Sequence, residues 1–222
     1  MKKYFILFVA LAALGFSSCS SGKMVRSSVA PAEIKELMVL EPLTYISGIW
    51  KGSEPVMSDS LSVISRDVIL SSLNSNGRLP RISETIIFQD ESILGVYAVS
   101  TQDLVNRLLL GKKGGIVNIT IPPEIRALMG DERFGIIICA EGFSRSSKNY
   151  TNQMLKGLGI GILTLGTYVE EPIKARTNMY VIILDNERNE VAYFNHSDAQ
   201  NEPVSEKHVG RQLDKLLKKY FK

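Results

Sequence analysis

The stretch "MYVIILDNERNEVAYFN", Met179 to Asn195, decides the fold. Its first six residues are large and apolar without a break. A strand with one wet face alternates, whereas an unbroken run has both faces covered. "NERNE" then reads as a turn, and "VAYFN" as the antiparallel partner strand. Upstream, "RFGIIICAEGFSRS" repeats the signature with Ile136, Ile137 and Ile138 in succession, before it turns polar. Ile136, Ile138, Val181 and Ile183 are therefore expected in the core of one sheet that carries helices on both sides.

The flanking segments supply those helices. "SDSLSVISRDVILSSLNSNG" predicts a helix capped by Ser58 or Asp59 and closed at Asn76-Gly77. Leu61, Ile64 and Val68 are its expected inner face. "STQDLVNRLLLGKKGG" predicts a second helix with a Ser/Thr start and Gly111 as its stop. "PPEIRALMGDE" predicts a short one with prolines in its first turn and Gly130 after its last. "SEKHVGRQLDKLLKKYFK" is amphipathic, with Val209, Leu213, Leu216, Leu217 and Tyr220 on one face and a basic opposite face. Packing on the sheet is its expected role, and contact with anionic head groups the alternative. "IKELMVLEPLTYISGIW" reads as a first strand region broken at Pro42. "RISETIIFQ" reads as a short strand, and "GGIVNITI" as a strand or an extended lead-in. The expected class is α/β (α+β): a single mixed sheet covered by helices, ending in an antiparallel hairpin and a C-terminal amphipathic helix.

The N-terminus gives an address. "MKKYFILFVALAALGFSSCSSGK" has two lysines, an apolar run too short to span a bilayer, and small residues before a cysteine. Residues 1–18 are expected to be a signal peptide. "FSSC" resembles the bacterial lipobox of Bacteroidetes-type lipoproteins, with Phe16 where leucine is more usual. The resemblance implies acylation of Cys19. It also implies a lipid-anchored tether over 19–32, one α/β domain over 33–222, and an outer-membrane address facing the periplasm or the cell surface. An ordinary cleaved leader is the alternative. An acylated Cys19 leaves Cys139 without a partner, and in "FGIIICAEGF" it reads as a buried small hydrophobe. The net charge is +3 over 222 residues, and it falls to about +1 without Lys2 and Lys3. That excludes a basic nucleic-acid surface as the default.

"GLGIGILTLGTYV", Gly157 to Val169, carries no charge. It lacks the third glycine of a dinucleotide fingerprint and the Lys-Ser/Thr of a P-loop. As a helix it spans about 20 Å, short of the roughly 30 Å hydrocarbon core. A short helix capped by Thr151 and ended by Gly166 is the preferred reading, with Gly157 and Gly161 on one face; a strand is the alternative. The insert, 151–169, is expected to pack between the two buried strands. Gly157, Gly159, Ile160 and Gly161 form the candidate interaction segment should it be exposed.

No catalytic constellation stands out. His196 and His208 are the only histidines and have no metal-ligand spacing. "GFSRS" around Ser144 lacks the second glycine of a nucleophile elbow. Asp90-Glu91, Asp131-Glu132 and Glu170-Glu171 read as turn residues. No catalytic residue, metal or cofactor is expected.

"PPEIRALMGDERFGIIICAEGFSRS" is similar to the helix-then-strand unit of envelope lipoproteins, with Met129-Gly130 at its joint. "MYVIILDNERNEVAYFN" resembles their paired strands, with Asp185 before the turn and Tyr193 and Phe194 after it. Those families include the curli-secretion channel lipoprotein and the lipoprotein activators of penicillin-binding proteins. The likeness covers roughly residues 120–222 and, less closely, 36–75, and implies a periplasmic domain that binds or assembles with proteins. The expected partners are the bilayer through Cys19, envelope proteins, and a second copy of the chain, with no nucleic acid. A lipid-anchored hydrolase acting on cell wall or glycan is the competing class; a pocket gathering His196 with Ser144 or an acid would favour it.

Overall fold

The computed structural model describes residues 24–26, 29–111, 119–163 and 172–221. Eight described strands form one mixed sheet: β1 (Met24–Arg26), β2 (Glu36–Leu40), β3 (Leu43–Ile49), β4 (Val56–Met57), β5 (Arg81–Ile86), β6 (Phe134–Arg145), β7 (Ala175–Asp185) and β8 (Glu190–Ala199). The main path is β1-β8-β7-β6-β2-β5. β6, β7 and β8 are antiparallel neighbours, as the quoted runs predict.

The other edge of β6 is shared. β2 runs parallel to its first half, with Val39 opposite Ile136, and β3 runs parallel to its second half, from Leu43–Cys139 to Ile49–Arg145. Glu41-Pro42 makes the step between them. Glu41 is 4% exposed. Its carboxylate accepts from Arg66 Nη1 at 2.9 Å and from the Phe88 amide at 2.7 Å, while Tyr97 donates to its carbonyl at 3.0 Å. A buried carboxylate is tolerable only with such partners. Here they tie three segments to the break that Pro42 imposes.

Five described helices accompany the sheet: α1 (Asp59–Asn74), α2 (Glu91–Leu110), α3 (Pro123–Met129), α4 (Ser147–Leu163) and α5 (Glu206–Leu217). One face packs Leu37, Val39, Ile136, Ile138, Val181 and Ile183 against Ile69 and Leu73 of α1 and Val209, Leu213 and Leu216 of α5. The other packs Met38, Leu40, Ile137, Ile182 and Leu184 against Tyr97, Leu104 and Leu108 of α2 and Ile125 and Met129 of α3. The four core residues expected from sequence are fully buried. α5 is a packed sheet helix: its Leu216 carbonyl accepts from Tyr193 Oη at 2.6 Å and Asn195 Nδ2 at 3.1 Å. Gly130 at φ +54° closes α3 as the sequence predicts.

Three expectations need correction. α2 begins at Glu91, capped by Asp90 through the Ser92 amide at 2.8 Å, nine residues before the expected Ser/Thr start. Gly95 and the β-branched run around it are weak helix formers and hid the first turns. α1 buries Ser65, Ile69, Ser72 and Leu73, whereas Ile64 is exposed. Small serines let α5 come close, with Gly210 facing Ser72, so the inner face is not the most apolar one. Part of the expected tether belongs to the sheet. β1 pairs with β8, and buried Val29 accepts from Tyr220 Oη at 2.9 Å. The strand or lead-in read at 114–121 falls mostly outside the described residues; Ile119 and Ile121 are buried beside α2.

Candidate functional site

α2 and α3 cover only part of their sheet face. Beyond them the strands present two rows to solvent. Cys139, Tyr180 and His196 are in register across β6, β7 and β8. Tyr45, Glu141, Asn178 and Asp198 form the next row across β3 to β8. Glu141 accepts from Tyr180 Oη at 2.8 Å and Asn178 Nδ2 at 3.2 Å. The Tyr180 and His196 rings stack at 5.9 Å. Burial and then the bond to Glu141 push the Tyr180 phenol up. The Cys139 thiol, which reaches a cleft of about 200 Å³ beside Tyr45, Gln102 and Asn106, is pushed up to about 12 by burial and then by Glu141. It is therefore a protonated, unreactive thiol at neutral pH.

This face gathers His196 with acids but not with Ser144. Successive residues of β6 point to opposite faces, which puts Ser144 with Ile138 and Ala140 on the α1–α5 side and Glu141 with His196 on the other. Among the described residues no group of three or more His, Cys, Asp or Glu could hold a metal. Asp90 is a helix cap, and Glu132 accepts from Ser83; Glu170 and Glu171 lie outside the described residues.

A second surface lies at the pole where β6 ends. There α4 leaves the sheet, with the Ser146 hydroxyl accepting from the Asn149 amide at 3.3 Å. The helical reading of the apolar insert holds, although α4 starts at Ser147, and Thr151 sits inside it, bonding back to the Ser147 carbonyl. Loop 50–52 is clamped to α4 through one acceptor. The Gly52 carbonyl receives Arg145 Nη1 at 3.1 Å, Asn149 Nδ2 at 3.1 Å and Gln153 Nε2 at 3.2 Å. Gly52 has φ +65°, which favours glycine. Arg145 and Asn149 are buried and joined to each other at 2.6 Å.

On this base, Trp50 is 55% exposed, Leu155 61% and Leu158 51%, with Met154 beside them. The indole lies across Gly48, where a Cβ would meet the ring at 2.2 Å, so Gly48 makes room for it. Trp50, Lys51, Lys148, Asn152, Leu155 and Lys156 surround one hollow of about 540 Å³. At the described start of the insert, Leu155 and Leu158 face solvent while Gly157 is buried, and loop 50–52 meets the helix through Gln153. The insert's side chains from residue 159 onward, on which the expected packing between strands turns, lie outside the description. Gly159, Ile160 and Gly161 continue the helix, while Cys19 and residues 164–171 lie outside the described residues.

A third surface is the outer side of α2. Ile93, Val96 and Val99 are exposed, Val99 by 72%, while Tyr97, Thr101 and Leu104 of the same helix are buried. The sequence does not show this stripe once the start of α2 is misplaced. Trp50, the only tryptophan, carried one signal that went unused: it adjoins a lysine and a glycine at the end of a strand.

No protein-family model matches the chain, and no curated protein matches it. Among solved structures, the PelC dodecamer from Paraburkholderia phytofirmans overlaps with a TM-score of 0.42 at 7% identity, over 89% of this chain and 96% of that one. The hypothetical protein CT253 from Chlamydia trachomatis overlaps with a TM-score of 0.34 at 10% identity, over 83% and 93%.

Proposed function

We propose that this chain is an envelope lipoprotein, anchored through Cys19, that acts by binding and assembling with proteins rather than by catalysis. The carrying observation is α2. Its first half is apolar all round, which is the composition of a helix covered on both sides. One side is in the core, and the other presents Ile93, Val96 and Val99 to solvent. On the other flank of α2 a groove holds Pro42, Tyr45, Val63 and Leu94 together with the charged Glu41, Asp59, Arg66 and Glu91. An exposed apolar stripe bordered by such a groove fits a protein contact. The hydrolase reading gains nothing from Ser144, which points to the opposite face from His196, and although His196 shares its face with Glu141 and Asp198 it does not line the cleft that Glu141 borders.

Blue-native electrophoresis of detergent-solubilised membranes tests the proposal. The wild type is expected to migrate as a complex. The Val96→Glu/Val99→Glu chain should fall to the monomer position with its melting temperature little changed, because both positions are exposed. A complex that survives the substitutions contradicts the assignment, and so does a wild type that runs as a monomer.

A further inference from the structure

We infer that the lip formed by loop 50–52 and α4 is a docking surface for an anionic lipid bilayer. The inference deepens the reading of an anchored protein and rests on that reading for its orientation. Three observations carry it.

The first is composition. Trp50 and Leu155 are exposed at one hollow with the exposed Lys51, Lys148 and Lys156, and the exposed Met154 and Leu158 lie farther round α4. Tryptophan and leucine bordered by lysine is the pattern of a surface that rests at the head-group level, with rings at the boundary and ammonium groups on the phosphates. None of the three lysines is in an ion pair among the described residues, and Glu54 is the acid described on the adjoining loop.

The second is that the lip is built. Three side-chain donors converge on the Gly52 carbonyl, two of them from the buried Arg145 and Asn149. They hold Trp50 and Lys51 against α4, so the apolar tips are presented rather than left to fold back.

The third is position. β8 runs toward this pole, since Ala199 pairs with Thr177 near the start of β7. β1 is antiparallel to β8, with Met24 opposite Asn195 and Arg26 opposite Tyr193. The N-terminal end of β1 therefore points to the pole that carries the lip. Through Asn195 and Val181, Met24 lies level with Ile138 of β6, and the lip begins at Arg145, seven residue steps or about 23 Å further along that strand. The five residue steps from Met24 back to Cys19 reach at most about 17 Å. The lip thus stands out at least as far toward this pole as Cys19 can reach, so a bilayer holding an acyl chain on Cys19 comes up against Trp50 and α4.

Because Trp50 is the only tryptophan, its emission reports the contact directly. The assay uses residues 20–222, which keep every described residue and lack both the leader and the anchoring thiol. Vesicles of phosphatidylglycerol and phosphatidylcholine in equal parts should shift the emission to the blue and sediment the chain. Pure phosphatidylcholine should do neither. Lys51→Gln, Lys148→Gln and Lys156→Gln should each weaken sedimentation about fivefold, while Lys207→Gln/Lys215→Gln on the basic face of α5 should not. Four results overturn the inference: no emission shift with the anionic vesicles, an equal shift with both lipids, loss of binding through the α5 substitutions alone, or a blue shift that grows with protein concentration without lipid, which would assign the lip to a second copy. Failure here leaves acylation of Cys19 untouched, since the tested chain lacks that residue.

Discussion

At the residue scale, the chemistry of single side chains separates structural roles from reactive ones. Cys139 could be mistaken for a nucleophile because it borders a cleft beside Glu141 and Tyr180. Its surroundings argue otherwise. Burial first, and Glu141 second, raise the thiol to about 12, against about 8.5 in an unfolded chain. The unfolded form loses its proton first, so this site's contribution to stability is complete below about 8.5 and erodes as pH rises from there toward 12. Alkylation of residues 20–222 by iodoacetamide should accordingly be far slower in the folded chain than in urea at mildly alkaline pH, and should accelerate only near pH 12. A native rate that titrates near 8.5 would contradict the buried setting. Ile136, Ile138, Val181 and Ile183 were legible because an unbroken apolar run has one physical meaning in a sheet. Trp50 was not: its exposure depends on Gly48 lying under the ring and on three donors meeting at the Gly52 carbonyl, contacts made by residues up to 101 positions apart in sequence.

At the scale of elements, the apolar pattern located most strands and helices, and misjudged the places where small residues decide. Ser72 and Gly210 bring α1 and α5 together, a contact invisible to a search for leucines. Gly95 disguised the start of α2. That residue offers a clean test, because a Cβ added there meets nothing within 4 Å and the position is exposed in mid-helix. Gly95→Ala should raise the stability of residues 20–222 by about 1 kcal/mol, the difference in helix propensity. Urea unfolding reads it as a higher midpoint at constant slope; a lower midpoint would mean that α2 does not run through Gly95. The insert was legible as a helix because Gly157 and Gly161 share a face. Its placement was not, since α4 leaves the end of β6 at a pole of the sheet that the sequence does not mark.

For the whole molecule, register converts local readings into a direction. β1, paired to β8, aims its N-terminal end at the pole that presents Trp50, Lys51 and α4. α2 displays its apolar stripe on the side of the sheet. In the arrangement we propose, one end of the molecule would rest on lipid and a flank would remain for a neighbour. The division of β6's edge between β2 and β3 could not be read from the chain, because Pro42 signals a break without saying that both halves pair with one strand. Everything in this proposal turns on acylation of Cys19. Metabolic labelling with palmitate, followed by an alkaline carbonate wash of the membranes, reads it most directly, because the wash strips protein held only by surface contact. The wild type should carry the label and stay in the washed membranes, while Cys19→Ala should carry none and be released. An unlabelled wild type, or a labelled Cys19→Ala chain, would contradict the account.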